Sequence, residues 1–183
     1  MRLIRAAFAL TALAMAGALL PSSAGAQAIA MLGLSAGAAV PMGKISNPYS
    51  TGFNAMASLG FGGGEEIPVS LRFEGAYTKF NGSTATGVAP VSGVRIWSGN
   101  VSAIVAFPGG EIVRPYVLTG GGVYNMKSLA ANSSSSNDFG VSGGIGVGLD
   151  LSGFNTFAEA RINHVFTENG ATRFAPIVFG ILF

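Results

Sequence analysis

The 183-residue chain contains no cysteine, one histidine and one tryptophan, and its charged residues make up only 10%, against roughly 25% in ordinary globular proteins. Without cysteine there is no disulfide framework to hold a small exported core together. One histidine, no thiol and scattered acids do not make a closed metal site, and no cofactor is expected. Long apolar runs are also missing: none of eighteen or more residues follows position 20, which excludes a helical membrane span. Nor is there a real excess of one charge. Two of the ten Lys and Arg are Arg2 and Arg5, so the remainder carries eight bases against eight acids. That balance removes the support for a nucleic-acid partner.

What is there begins with an export signal. Arg2 and Arg5 form a basic start, residues 8–20 are a short apolar run, and Pro21-Ser22-Ser23 breaks it. Ala24-Gly25-Ala26 and Ala26-Gln27-Ala28 follow as small-x-small sites. The pattern reads as a secretory signal peptide over 1–28, cleaved after Ala26 or Ala28, its apolar part too short to span a bilayer. Residues 29–183 then form one domain. Hydrophobic residues reach 49% and glycines number 28. High hydropathy without a helical span points to strands that show apolar side chains to lipid and small or polar ones inward.

Alternation of residue type predicts eight such strands. The first, from Ala30, sets Leu32, Leu34, Ala36, Ala38 and Val40 against Gly33, Ser35 and Gly37. The second (53–61) sets Phe53, Leu59 and Phe61 against Asn54, Met56 and Ser58. The third (69–80) places Val69, Leu71, Phe73 and Tyr77 outward and Ser70, Arg72, Glu74 and Thr78 inward. The fourth (94–107) opposes Trp97, Val101, Ala103, Val105 and Phe107 to Ser98, Asn100 and Ser102. In the fifth (114–125), Tyr116 and Tyr124 bracket Leu118, Gly120 and Gly122 on one face. The sixth (139–151) alternates Phe139, Val141, Ile145, Val147 and Leu149 with glycines and Ser142. The seventh (156–166) turns Glu159, Arg161 and Asn163 inward, and the eighth carries Ala175, Ile177, Phe179, Ile181 and Phe183 on one face.

Ten residues separate Trp97 from Phe107. At the usual rise and barrel tilt that is about 25 Å of height, the apolar band expected between two aromatic girdles. Tyr116 and Tyr124 read as a second girdle pair, one at each rim. Turn-forming residues occupy 44–52, 62–66, 81–93, 108–110, 128–138, 152–155 and 167–172. The long connections follow strands one, three and five. With both ends of the domain periplasmic, these loops face the outside of the cell.

The chain stops on Phe183 with no polar tail, on a strand whose alternate residues are Phe179 and Ile181. In a soluble protein this would leave an apolar strand at an open edge. Four stretches carry a resemblance: L-G-L-S-A-G-A-A-V-P-M-G (32–43), R-P-Y-V-L-T-G-G-G-V-Y (114–124), F-G-V-S-G-G-I-G-V-G-L-D (139–150) and A-P-I-V-F-G-I-L-F (175–183). Together they resemble the outer-membrane protein β-barrel domain family, relatives of the transmembrane domain of outer membrane protein A. The resemblance implies an all-β, eight-stranded antiparallel up-and-down transmembrane barrel in the outer membrane of a diderm bacterium. It also implies that Phe179, Ile181 and Phe183 act as a C-terminal signal for the barrel-assembly machinery. Activity does not follow from the fold.

The candidate constellation is the inward set Arg72, Glu74, Glu159, Arg161 and Asn163, on strands nearly opposite across an interior that side chains just fill. Charges in so narrow a lumen are expected to pair. His164 suggests a comparison with lipid A deacylases, which place a serine two residues after a catalytic histidine. Phe166 stands there instead, and His164 faces lipid by parity, so no enzyme is expected. The polar loops lack the Tyr, Trp or Arg anchors of binding surfaces, Tyr49 excepted. The expectation is a monomer in outer-membrane lipid, structural or surface-exposed, with a largely filled lumen. A small diffusion channel and a loop-mediated adhesin are the alternatives.

Overall fold

Alternation supplies a two-faced sheet; pairing of the last strand with the first is what closes it. The computed structural model describes residues 30–62, 69–83, 92–110, 112–151, 154–168 and 170–183. The strands are β1 (Ala30–Met42), β2 (Tyr49–Gly62), β3 (Val69–Gly82), β4 (Val94–Ala106), β5 (Val113–Ser128), β6 (Ser135–Leu151), β7 (Phe154–Thr167) and β8 (Gly170–Leu182). Each pairs antiparallel with its neighbours in sequence, and β8 pairs with β1, giving a closed barrel. The final rung lies beyond β8 itself. The Phe183 N–H donates to the Leu32 carbonyl at 2.7 Å, and the Leu32 N–H donates back to the Phe183 carbonyl at 3.1 Å. Closure leaves no unpaired sheet edge, which is the condition for placing strands in lipid.

The two faces are inverted relative to a soluble domain. Leu34, Phe53, Phe73, Val101, Ile145 and Phe179 are exposed on the outside, while Asn54, Arg72, Thr78, Asn100 and Ser102 are buried inside. An apolar exterior over a polar interior is the transmembrane β-barrel arrangement.

Strand ends depart from the predicted loops. The segment expected to loop at 44–52 is a short 3-10 turn at Gly43–Ile45, and β2 already begins at Tyr49. The one expected at 128–138 is confined to 129–134. Polar residues continue the ladder there because the partner strand is in register: Lys127 faces Ser135, and the Asn125 amide donates to Asn137 Oδ1 at 2.7 Å. Long connections therefore do not alternate with short ones as expected; only 83–93 is clearly longer than its neighbours. The predicted signal peptide, the turn beyond Gly62, most of the 81–93 loop, and Ser152, Gly153 and Asn169 lie outside the described residues.

Candidate functional site

The inward side chains form three storeys along the barrel axis. The end holding the start of β1 and the end of β8 is called the terminal end; the other is the loop end.

The middle storey is electrostatic. On β3, Arg72 Nε donates to Glu74 Oε1 at 2.5 Å, and on β7, Arg161 Nε donates to Glu159 Oε1 at 3.1 Å. Across the lumen, Arg72 Nη2 donates to Glu159 Oε2 at 2.7 Å, and Arg161 reaches both Glu74 oxygens at 2.6 and 2.9 Å. Because β3 and β7 stand opposite in the strand order, these bridges span the width of the barrel. Charge alternates around the four groups and sums to zero. Ser102 Oγ and the Tyr116 hydroxyl donate to Glu74 Oε2 and Glu159 Oε2 at 3.3 and 2.9 Å. Every carboxylate oxygen thereby accepts two hydrogen bonds. Such saturation offsets a desolvation cost of several kcal/mol per buried ion. Asn163 stands apart from this ring, nearer the loop end, where its Oδ1 accepts from the Tyr124 hydroxyl at 3.1 Å.

The loop-end storey is apolar. Phe80, Ile96, Tyr124, Val165, Phe174 and Ala39 are buried together. The Phe174 ring meets Phe80 edge-on at 5.7 Å and Tyr124 at 6.3 Å, with Tyr49 6.5 Å from Phe80. Edge-to-face rings at these separations attract beyond their area of burial. A space of about 20 Å³ separates this cap from the ring, bordered by Asn100, Asn163 and Pro176. At the terminal end the interior widens to a cavity of about 160 Å³, lined by Met31, Arg72, Arg114, Tyr116, Phe157 and Leu182 among others.

Two of the predicted girdle residues require correction. Tyr116 and Tyr124 do not sit at the lipid rims; both point inward, and Tyr124 is fully buried at 0% exposure. The opposite face of β5, with Val117 and Val123 exposed, is the outer one. Thr119-Gly120-Gly121-Gly122 carries almost no contrast between faces, and tyrosine suits either a girdle or a polar interior. Arg114 shares the parity of both tyrosines and lines the cavity, and that charge was the available signal. Two of the inward glycines of β6 leave no open space in the lumen. A Cβ at Gly146 would overlap the Tyr116 ring, and one at Gly140 would lie 2.7 Å from Tyr124 Cε2. Gly140 and Gly146 are where the aromatic rings lie, and a Cβ at Gly144 would meet Arg161 instead.

Trp97, near the start of β4, and Phe107, one residue past its end, are 55% and 48% exposed. Trp97 packs against Tyr77 with ring centroids 4.8 Å apart. Phe179, Ile181 and Phe183 line the outer face of β8 and its end. His164 is outside the lumen: its Nδ1 accepts from Arg173 Nε at 3.0 Å and its ring lies 4.8 Å from Phe166. Sequence reasoning missed the cap. Phe80 shares the parity of Arg72 and Glu74, and Ile96 that of Asn100, so their inward placement was readable from position though not from residue type.

No family model matches the chain, and no curated protein matches it by sequence. Solved structures do. Neisserial surface protein A superposes with a TM-score of 0.65 at 20% identity, over 84% of this chain and 95% of that one. The outer membrane protein OprG from Pseudomonas aeruginosa gives 0.52 at 12% identity, over 85% and 97%. Ail, the attachment invasion locus protein of Yersinia pestis, gives 0.51 at 12%, over 86% and 100%. At such identities the likeness is one of fold. The chain has the fold of the small eight-stranded outer-membrane barrels.

Proposed function

We propose that the mature chain is a monomeric integral protein of a diderm outer membrane, a structural or surface-exposed barrel whose lumen does not conduct, and not an enzyme. The observation that carries this reading is the stacking of a saturated four-charge ring beneath an apolar aromatic cap, with only a space of about 20 Å³ between them. A solute crossing the lumen would have to break both, and breaking a buried ion pair costs about 3–5 kcal/mol. The apolar outer belt, the export signal and fold relatives named as outer-membrane proteins support the location. In this reading the strand end at Phe183 is what the assembly machinery recognises, and the loop end faces outward.

The terminal-end cavity favours a second reading, a narrow conduit gated at the ring, because it brings space as far as Arg72 and Tyr116. Planar-bilayer recordings separate the two. The folded barrel, extracted from outer membranes that float at outer-membrane density and confirmed by a mobility shift on boiling, is expected to give no conductance steps. Regular steps from that preparation would establish the conduit.

A further inference from the structure

Three cations stand side by side on the outside of the barrel. Lys79 on β3 faces Arg95 on β4, and Arg95 faces Lys127 on β5, in direct cross-strand register. All three share the parity of outward residues: Phe80, Ile96 and Tyr124, on the other face, are buried in the cap. Like charges directly opposite on neighbouring strands repel and destabilise the sheet. Among the described residues, no carboxylate lies within ion-pair reach of any of them; the four ion pairs all belong to the lumen. A row of cations that no acid among the described residues pairs with is suited to an anion from outside.

The residues beneath the row identify what kind of anion. One rung towards the barrel middle, Tyr77 faces Trp97, and their rings pack together. Aromatic pairs of this kind sit at the headgroup level of a bilayer. One rung further, Gly75 faces Gly99, and a Cβ on either would meet nothing within 4 Å. Phe73 and Val101 close the depression below. Cations over an aromatic shelf over a bare apolar hollow match, in order, the phosphate, sugar and acyl chain of one lipid. The row crosses two strand spacings, about 10 Å. That width suits a disaccharide headgroup with a phosphate at each end better than a glycerophospholipid with one.

We propose that Lys79, Arg95 and Lys127 bind the phosphates of lipid A, with Trp97 and Tyr77 beneath its sugars and one acyl chain against Gly75 and Gly99. The proposal rests on the outer-membrane reading with the loop end outward, since that end meets the leaflet carrying phosphorylated glycolipid. It explains why like charges are tolerated in register: the ligand screens them.

The test is native mass spectrometry of the folded full barrel released from detergent, titrated with bisphosphorylated lipid A, dephosphorylated lipid A or phosphatidylglycerol. Wild type is expected to retain one lipid A. Its affinity should fall at least about tenfold for dephosphorylated lipid A and in a Lys79→Gln, Arg95→Gln, Lys127→Gln variant. In lipid-free detergent the same variant should be at least as heat-resistant as wild type, because repulsion is removed; added lipid A should stabilise only wild type. Equal retention of phosphorylated and dephosphorylated lipid A by wild type overturns the proposal without any variant. Equal affinity for phosphatidylglycerol overturns the two-phosphate assignment. Wild type that yields no boiling-sensitive folded band in vesicles would instead overturn the membrane reading beneath it; a folded, inserted barrel without lipid A preference would sink this proposal alone.

Discussion

Glu159 accepts from two guanidinium groups and a phenol in a space with little access to water. Truncating it leaves Arg72 with only Glu74 and the ring with surplus positive charge. The Glu159→Ala variant is therefore expected to lose about 3–5 kcal/mol, measured by urea titration of the folded band on unboiled gels. Removing Arg72 and Glu159 together, both to Met, leaves the two-bonded Glu74–Arg161 pair and should cost less than the single truncation. A larger loss in the double variant would mean that packing, not charge balance, holds this storey. The second residue-scale prediction concerns close contact. Gly146→Val drives side-chain atoms into the Tyr116 ring and should cost about 1–3 kcal/mol. Adding Tyr116→Ala should recover part of that, a coupling that a double-mutant cycle detects between touching residues.

Among the elements, β5 is the instructive one. Seven strands could be assigned to faces from type alone, because residues such as Arg72, Glu74, Glu159 and Arg161 alternate with large apolar neighbours. In β5 the contrast vanishes across Thr119–Gly122, and the two tyrosines were read by chemistry rather than by the parity they share with Arg114. Strand ends were hidden for a different reason. Ser135, Ser136 and Asn137 are turn-type residues by composition, yet Lys127, Met126 and Asn125 pair with them. Tertiary pairing overrides local preference there. The corrected boundary changes an engineering prediction. Replacing residues 129–134 by Asn-Gly should preserve the boiling-sensitive folded band. Deleting 128–137 removes ladder residues as well and should lower that band's urea midpoint. Equal midpoints would show that the extended β5–β6 ladder contributes nothing to stability. At the closing seam, deletion of Phe183 removes both hydrogen bonds to Leu32. Its outer-membrane level in cells should drop, with a smaller effect on refolding in detergent; equal losses in both would argue against recognition by assembly factors.

For the molecule as a whole, an eight-stranded barrel was legible in the count of alternating segments and in the apolar ending. The inward charges were legible too. Their pairing across the lumen was expected and is found; its closure into one four-membered ring was not legible, because that depends on strand stagger, which sets the heights at which Glu74 and Arg161 meet. The cap was less visible still: by residue type Phe80 and Phe174 look like any other barrel aromatic, and only their parity, shared with Arg72 for Phe80 and opposite to Phe179 for Phe174, marks them as inward. The cap alters what opening the barrel requires. Truncating the ring alone should admit little, since Phe80, Tyr124 and Phe174 still pack across the loop end. Conduction should need both storeys cleared.

Solute-driven swelling of proteoliposomes tests this most directly. Vesicles carrying the folded wild-type barrel should swell in a small sugar no faster than empty ones. A variant with Arg72, Glu74, Glu159 and Arg161 neutralised to Ala, and with Phe80→Ala and Phe174→Ala added, should swell measurably while keeping its boiling-sensitive band. Wild-type swelling clearly above empty vesicles would contradict the account and make the barrel a small pore.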